Sequence, residues 1–186
     1  MAVVEKTLGG INARIVAALR SKGIAAQGYS GRSQGLMTAK ALADLGRVGE
    51  PTHVDRAVLL PLLDSSPLPV FYSVAQDAQG HPLNLNADDF ALALAVASGS
   101  PRLIFLTDAG GILDKAGRPI LRVDRNQVEA LITDGTISGG MAVKARACVD
   151  ALSRGVGRVD ITKGIESLLA DDVRLEGTSF LEASNR

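Results

Sequence analysis

The stretch that decides the fold is Arg102-Leu103-Ile104-Phe105-Leu106-Thr107. Its centre is four consecutive apolar residues, which is typical of a strand buried on both faces, so we predict a central parallel strand here. Helical patterns flank this strand, over 87–98 before it and over 125–133 after it. Alternation of helices and strands at this spacing predicts an α/β fold, with helices covering both faces of a mainly parallel sheet.

The alternation continues in both directions along the chain. Towards the N-terminus the patterns predict a helix over 12–21, a strand over 24–29, a helix over 55–64, a strand over 69–74, a turn over 77–80 and a strand over 83–86. Towards the C-terminus they predict a turn over 114–118 beside residues 120–123, a helix over 141–154, a strand over 158–162, a helix over 165–170 and a frayed tail over 182–186. No repeat or linker interrupts them, so we expect one domain over 1–186.

Composition argues against several classes of protein. The chain has 20 basic and 20 acidic residues, a balance that does not suit a protein whose main role is binding nucleic acid or a membrane surface. Its one cysteine, Cys148, cannot form an internal disulfide, so we expect a buried thiol in a reducing compartment. The start has no signal-peptide pattern, and the longest apolar run, 90–97, is too short to span a bilayer. We expect a soluble, cytoplasmic protein.

The strand-to-helix junction Asn84-Leu85-Asn86-Ala87-Asp88 is the first candidate for chemistry. Residues two apart on a strand point to the same face, so Asn84 and Asn86 project side by side, and Asp88 falls in the first turn of the next helix. Side-chain amides can both donate to and accept from a polar ligand. The alternative is helix capping by Asn86, but capping leaves Asn84 unexplained.

The second candidate is Gly139-Gly140, which we place before a helix that carries Lys144 in its first turn. Glycines let backbone N–H groups approach a phosphate, and the positive end of a helix dipole favours it. The alternative is a glycine-rich turn beside a surface lysine. Thr107 and Asp108 form a third candidate, because ligands of open α/β sheets bind beyond the carboxyl ends of the strands.

Other polar residues give weaker signals. The glycine-rich, basic segment 30–35 lacks the spacing of a phosphate-binding P-loop, so we expect a flexible surface loop. His53 and His81 are isolated, and surface positions suit them better than metal ligation. No cluster of cysteine and histidine predicts a metal site.

Taken in order, these motifs resemble those of the acetylglutamate kinases of the amino-acid kinase family. The strings that carry the resemblance are Gly28-Tyr29-Ser30-Gly31, Asp44-Leu45-Gly46-Arg47-Val48-Gly49-Glu50, Asn84-Leu85-Asn86-Ala87-Asp88, Leu106-Thr107-Asp108, Gly111-Ile112-Leu113-Asp114, and Asp134-Gly135-Thr136-Ile137-Ser138-Gly139-Gly140-Met141 with Lys144. The resemblance runs from about Val4 to Glu176-Gly177-Thr178. It implies a three-layer α/β/α sandwich that transfers a phosphoryl group from ATP with Mg²⁺ to the side-chain carboxylate of N-acetyl-L-glutamate, in arginine biosynthesis.

The resemblance also implies a role for each candidate residue. Asn84 and Asn86 would contact the acylated amino acid, and Asp88 would organise catalytic lysines. Lys144 would stabilise the transferring phosphoryl group. Thr107, Asp108, Gly139 and Gly140 would lie along the nucleotide, within a C-terminal nucleotide-binding part over about 87–180. No tightly bound metal is expected.

The chain also departs from the family pattern. About ninety residues precede the matching point in the family, including a lysine and a glycine-rich phosphate loop, so we expect an N-terminally truncated domain. An incomplete sheet exposes an edge and an apolar helix face, so we expect a homo-oligomer or a partner that supplies the N-terminal half. The segment 165–171 lacks a histidine found in arginine-sensitive members, which argues against feedback inhibition by arginine.

Two alternative functions stay open. One is a kinase of another acylated or carrier-linked amino acid such as aminoadipate, within the same class. The other is a non-catalytic nucleotide-binding or regulatory subunit, which the absent N-terminal elements favour. The intact set of Asn84, Asn86, Asp88 and Lys144 argues against the second alternative.

Overall fold

Helices and strands alternate along the chain as the sequence predicts. A computed structural model describes residues 1–65, 67–108, 110–164 and 177–182. The chain divides into two compact units, Met1–Ser98 (unit 1) and Gly99–Arg186 (unit 2). Unit 1 contains α1 (Ala2–Ser21), β1 (Ala26–Ser30), a single 3₁₀ turn (Ser33–Gly35), β2 (Met37–Ala41), β3 (Val48–Val54), α2 (Arg56–Asp64), β4 (Leu68–Tyr72), β5 (Val74–Gln76), β6 (Pro82–Leu85) and α3 (Ala87–Ser98). Unit 2 contains β7 (Leu103–Leu106), β8 (Arg122–Val123), α4 (Arg125–Thr133), α5 (Gly139–Ser153), β9 (Val159–Thr162) and β10 (Gly177–Phe180).

Close packing fixes α1 on the parallel pair of strands β1 and β4. The Asn12 side chain donates from Nδ2 to the Val70 carbonyl of β4 at 2.8 Å. A Cβ on Gly28 of β1 would lie 1.9 Å from Asn12 Oδ1, so only glycine permits this approach. The helix begins ten residues before the predicted start at position 12, and it includes Gly9 and Gly10.

The middle of unit 1 is a closed barrel with the strand order β2-β3-β6-β5. Buried apolar side chains in or next to the barrel strands and in α2 and α3 form one core cluster: Leu36, Met37, Ala39, Val54, Leu59, Ala75, Leu83, Leu85 and Phe90. The predicted turn over 77–80 joins β5 to β6, and the Asp77 carboxylate accepts hydrogen bonds from the N–H groups of Gln79 and His81. The β2–β3 pair was not predicted.

The segment 30–35 is only partly the surface loop that the sequence predicts, because Ser30 ends β1 and Ser33–Gly35 form a 3₁₀ turn. Ser30 and Gly31 are buried. The Ser30 hydroxyl accepts from the Arg32 N–H, and the Ser33 hydroxyl accepts from the Ser30 N–H. Arg32 also forms an ion pair with Glu5 of α1 at 2.5 Å.

Unit 2 contains a four-stranded sheet with the order β7-β9-β10-β8. The pairs β7–β9 and β10–β8 are parallel, and β9–β10 is antiparallel. The predicted parallel strand β7 is present, but it lies at the end of this order rather than in its centre. Phe105 is buried, whereas Leu106 is 54% exposed.

A buried ion cluster holds β9 in this sheet. The Asp160 carboxylate is fully buried and accepts from Arg102 Nε at 2.5 Å and from Arg158 Nε at 2.8 Å. Arg158 also donates to the Ser179 hydroxyl of β10 at 2.9 Å. The cluster therefore joins β9 to the residue before β7 and to β10.

Several smaller predictions can be checked as well. Cys148 is buried, and His53 and His81 are exposed, as predicted. The predicted helix over 165–170, the segment without a histidine over 165–171 and the tail beyond 182 lie outside the described residues. No helix in the described part of the chain combines the length and apolar character needed to span a bilayer.

Candidate functional site

The junction of β6 and α3 presents the first group of candidate residues in unit 1. Leu83 and Leu85 point into the barrel core. Because side chains alternate along a strand, Asn84 points away from that core. Asn86 follows the last residue of β6, and Asp88 lies in the first turn of α3. The structure therefore brings these three polar residues together at one strand end.

Asn86 caps α3, as the alternative interpretation of this residue predicts. Its Oδ1 accepts from the Asp88 N–H at 2.8 Å and from the Asp89 N–H at 3.3 Å. Capping uses only the oxygen of the amide. The Nδ2 group of Asn86 remains a donor that could bind a ligand oxygen.

Asn84 has no such structural duty for its side chain. Its backbone pairs with Val48 of β3 and Val74 of β5, and its N–H donates to the Arg47 carbonyl at 2.9 Å. The side-chain amide is half-buried and forms no hydrogen bond with any other described residue. A fixed amide with both a donor and an acceptor available suits recognition of an acylated amine.

The start of α3 is acidic. Partial burial raises the pKa of Asp89, and the neighbouring carboxylates of Asp88 and Glu50 raise it further. The three carboxylates suit Asp88 as an acceptor for lysine ammonium groups.

Unit 2 holds the second group, at the carboxyl end of β7. We call Thr107, Asp108, Gly110 and Gly111 the β7 loop. The Thr107 N–H donates to the Thr162 carbonyl at the end of β9 at 2.9 Å, and the Gly110 N–H donates to the Thr107 carbonyl at 3.1 Å. Thr107 is half-buried and Asp108 is exposed.

The amino end of α5 differs from the prediction. The helix begins at Gly139, so the two glycines form its first turn, and Lys144 lies in the second turn rather than the first. Gly139 has φ of 53°, a left-handed conformation that favours glycine. A left-handed residue does not continue a right-handed helix, so Gly139 marks the boundary at which α5 begins.

The first turn of α5 is open. Ser138, the N-cap residue, makes no side-chain capping hydrogen bond. A Cβ on Gly139 or Gly140 would meet no atom within 4 Å. Free N–H groups at a helix start, with no side chain covering them, suit an anion such as a phosphate.

Lys144 lies over β7. Its Nζ is 5.3 Å from the centroid of the Phe105 ring, within the range of a cation–π contact. Phe105 lies two residues before Thr107, so Lys144 and the β7 loop meet at the same strand. The Lys144 ammonium group is therefore placed near the carboxyl-terminal part of β7, the strand that leads into Thr107.

The turn that leads into α5 is also ordered. Hydrogen bonds from the hydroxyl and N–H of Thr136 lower the pKa of Asp134, and Lys115 lowers it further. Farther along α5, Arg146 pairs with Glu129 of α4 through two hydrogen bonds of 3.1 and 3.0 Å. Both ion pairs lie on the exposed surface of unit 2.

Two residues near the β7 loop escaped the sequence analysis. Lys163 follows β9, and its side chain packs against Gly110. Thr178 is the second residue of β10, and its hydroxyl accepts a hydrogen bond from the Ile112 N–H just after the loop. A lysine directly after a strand next to β7 is a signal that could have been noticed, whereas Thr178 is separated from the loop by 66 residues.

The described ranges contain no group of three or more His, Cys, Asp or Glu residues that could hold a metal ion. The candidate residues are divided between the two units. Unit 1 contains Asn84, Asn86 and Asp88, and unit 2 contains Thr107, Asp108, Gly139, Gly140 and Lys144.

Comparison with known proteins identifies relatives. The model of the amino acid kinase family matches residues 1–163. The chain is 42% identical to the acetylglutamate kinases of Brucella canis and Brucella suis over 177 residues, which cover 87% of this chain and 60% of theirs. It therefore spans about 60% of the length of these curated relatives.

Solved structures share the fold. The structure of smu.665 from Streptococcus mutans UA159 has a TM-score of 0.81 and 28% identity, over 97% of this chain and 71% of that one. N-acetylglutamate synthase from Neisseria gonorrhoeae, with coenzyme A and N-acetyl-glutamate, has a TM-score of 0.86 and 21% identity, over 98% of this chain and 44% of that one. Carbamate kinase from Giardia lamblia bound to AMP-PNP has a TM-score of 0.68 and 15% identity, over 96% of this chain and 71% of that one. At these low identities the last two show the fold alone. The predicted fold class, an α/β/α sandwich of the amino-acid kinase type, is confirmed.

Proposed function

The chain belongs to the amino acid kinase family, and we propose that it phosphorylates the side-chain carboxylate of N-acetyl-L-glutamate with MgATP. The product is N-acetylglutamyl 5-phosphate, an intermediate of arginine biosynthesis. The observation that carries the proposal is the 42% identity to acetylglutamate kinases over 87% of the chain. The polar groups at the β6–α3 junction, in the β7 loop and on α5 supply chemistry that this reaction requires.

Asn84 and Asn86 bind the acylated amino acid in this proposal. The Asn84 amide can pair with the acetamido group, donating to its carbonyl and accepting from its N–H. The Nδ2 of Asn86 donates to a substrate oxygen while Oδ1 continues to cap α3. Asp88, at the acidic start of α3, accepts hydrogen bonds from lysine ammonium groups and holds them in place.

The residues of unit 2 bind the nucleotide. The N–H groups of Gly139 and Gly140 bind phosphate oxygens, because the first turn of α5 is open and no capping side chain competes. Thr107 and Asp108 contact the nucleoside part. Lys144 neutralises negative charge on the transferring phosphoryl group.

The reaction needs no covalent enzyme intermediate. A carboxylate oxygen of N-acetylglutamate forms a bond to the γ-phosphorus of ATP, and the bond from that phosphorus to the β,γ-bridging oxygen breaks, which releases ADP. The nucleophile is already deprotonated at neutral pH, so no general base is required. Positioning and charge neutralisation therefore supply the rate.

We also propose how the chain works as a molecule. Residues 1–186 form a single kinase domain, and its C-terminal part, over about 87–180, binds the nucleotide. The chain acts in the cytoplasm. Mg²⁺ arrives with ATP, and no resident metal is involved. The chain works as a homo-oligomer or with a polypeptide that supplies the part of its relatives that it does not match.

The test is formation of an acyl phosphate by the purified chain, trapped with hydroxylamine as the hydroxamate. It is run with the chain alone and with the part of a Brucella acetylglutamate kinase that this chain does not match. Lys144→Ala and Asp88→Asn should each reduce turnover by at least about a hundredfold, the loss typical of one charge-stabilising group. N-acetylaminoadipate in place of N-acetylglutamate tests the substrate.

Two neighbouring residues provide matched controls. Asp89→Asn changes the next carboxylate on α3, and Lys115→Ala removes an exposed lysine of unit 2. Both should retain most of the wild-type rate. MgATP binding without turnover in either mixture would contradict the kinase and favour a nucleotide-binding subunit.

A further inference from the structure

The Thr178 hydroxyl joins three segments of unit 2. Thr178 lies at the start of β10 and is fully buried. Its Oγ1 accepts from the Ile112 N–H at 2.7 Å and donates to the Ile120 carbonyl at 2.7 Å. One side chain therefore ties β10 to both ends of the hairpin that follows the β7 loop.

Gly111 packs directly against this hydroxyl. Its φ is 128°, and a Cβ at this position would lie 2.9 Å from Thr178 Oγ1 and 3.0 Å from the Gly177 carbonyl carbon. A side chain at position 111 would therefore push the backbone away from β10. The end of the β7 loop is thus seated on the first two residues of β10.

The β7 loop is anchored at both ends. At its start, the Thr107 N–H bonds to the Thr162 carbonyl of β9. At its end, Thr178 binds the backbone of Ile112, next to Gly111. Asp108 lies between the two anchors, and its side chain is exposed.

We propose that Thr178 is a positioning residue for the nucleotide. By holding the end of the β7 loop, it orients Thr107 and Asp108 for contact with ATP, although it is buried and touches no substrate itself. This inference rests on the proposed function, which assigns Thr107 and Asp108 to the nucleotide. It adds a residue from a strand that the sequence analysis did not connect with the site.

The test compares Thr178→Val, which keeps the shape and removes the hydroxyl, with Thr178→Ser, which keeps the hydroxyl. Calorimetry on the full chain measures the affinities for MgATP and for N-acetylglutamate, and amide hydrogen exchange measures opening of the segment 107–113. Thr178→Val should weaken MgATP binding about tenfold, the scale of one or two lost hydrogen bonds. It should speed exchange in that segment. N-acetylglutamate binding should not change, and Thr178→Ser should restore both properties.

Matched controls separate positioning from general damage to the sheet. Ser179→Ala removes the next buried hydroxyl of β10, which bonds to Arg158 rather than to the loop. It should leave MgATP affinity unchanged. If Thr178→Val does not fold, Gly111→Ala provides the test, since it displaces the loop and leaves Thr178 intact. It should weaken MgATP binding and speed exchange over 107–113 in the same way. Gly117→Ala is its control, because that glycine also has positive φ but no atom within 4 Å of an added Cβ.

The outcomes distinguish this inference from the function on which it rests. Faster exchange over 107–113 with unchanged MgATP affinity in Thr178→Val would overturn the inference and leave the kinase proposal standing. Equal losses of MgATP affinity in Ser179→Ala would also overturn it. A wild-type chain that binds no MgATP, either alone or with the part of its relatives that it does not match, would overturn both.

Discussion

At the scale of single residues, Asn86 combines two duties in one amide. Its oxygen caps α3, and its nitrogen is the group we assign to the substrate. A helix cap alone would be served equally well by serine. The two duties can therefore be separated by substitutions that keep or remove the cap.

Asn86→Ala should lower the free energy of unfolding by about 1 kcal/mol, the usual effect of losing an N-cap. Asn86→Ser should stay within a few tenths of a kcal/mol of wild type, because its hydroxyl can accept the same N–H groups. Both should weaken N-acetylglutamate binding, since neither has the amide donor. Urea unfolding and calorimetry measure the two effects. Wild-type binding in Asn86→Ser would mean that Asn86 serves only as a cap.

Asp89 gives a prediction about pH. Burial and the carboxylates of Asp88 and Glu50 raise its pKa above the ordinary value of 3.8. The folded chain therefore holds this proton more tightly than the unfolded chain, and the associated stability is lost as pH rises through the raised pKa. Asp89→Asn should remove this contribution to the fall in stability.

Urea midpoints measured from about pH 3.5 to pH 7 check the Asp89 prediction. As pH rises through that window, the urea midpoint of Asp89→Asn should increase relative to that of the wild-type chain. Glu50→Gln, which removes one of the repelling carboxylates, should show part of the same trend. A constant difference at every pH would show that Asp89 is not repelled in the folded chain.

At the scale of elements, the buried Asp160 cluster controls how β9 sits in its sheet. Asp160→Asn leaves Arg102 and Arg158 largely buried with a neutral partner. Breaking a buried ion pair in this way should cost about 3–5 kcal/mol of unfolding free energy. Urea unfolding measures the loss.

Asp150→Asn is the matched control, because Asp150 pairs with Arg154 on the exposed surface of α5 at 3.4 Å. This change should stay below about 1 kcal/mol. Similar losses in the two variants would argue against a special role of the buried cluster.

Substitutions at Gly28 and Gly10 test how closely α1 must pack on β1 and β4. Gly28→Ala places a Cβ against Asn12 and should disturb the hydrogen bond to Val70, with a loss of about 1–3 kcal/mol. Gly10→Ala lies inside α1 with no atom within 4 Å and should gain about 0.5–1 kcal/mol. Thermal unfolding of both variants measures the effects. A stabilised Gly28→Ala would show that α1 does not need this close approach.

Much of this architecture could be predicted from local patterns. α3 and α4 have the predicted bounds, 87–98 and 125–133, because periodic apolar residues and capping residues mark both helices. β2 and β3 could not be predicted in this way. Their pairing contains a bulge between Thr38 and Ala39, and Pro51 interrupts the alternation.

The candidate site was predictable only in part. Asn84, Asn86 and Asp88 follow one another in the sequence, so their proximity could be foreseen. Contacts between distant segments could not, and Thr178 is the example, since 66 residues separate it from Ile112. The start of α5 at Gly139, two residues before the expected start, was also not predictable from the apolar pattern.

At the scale of the whole molecule, the apolar surface of α1 bears on assembly. Four of its large apolar side chains are exposed: Val3, Val4, Ile11 and Ile15. Exposed apolar surface of this kind is usually covered by another protein surface. We expect the chain to sediment as a dimer or larger species, and Ile11→Ser combined with Ile15→Ser should shift it to smaller species. Leu121→Ser, at an exposed site in unit 2, should leave the distribution unchanged; a wild-type monomer would contradict this expectation.

The central claim is that this chain transfers a phosphoryl group to N-acetylglutamate. The most direct measurement follows the radiolabel of ATP labelled with ³²P at the γ-phosphate into N-acetylglutamate in the presence of the purified chain. A parallel reaction also contains the part of the relatives that this chain does not match. We predict a labelled, hydroxylamine-sensitive acyl phosphate that requires N-acetylglutamate and disappears in Lys144→Ala. Absence of labelled product in both reactions, from a folded chain shown to bind MgATP and N-acetylglutamate, would contradict the claim.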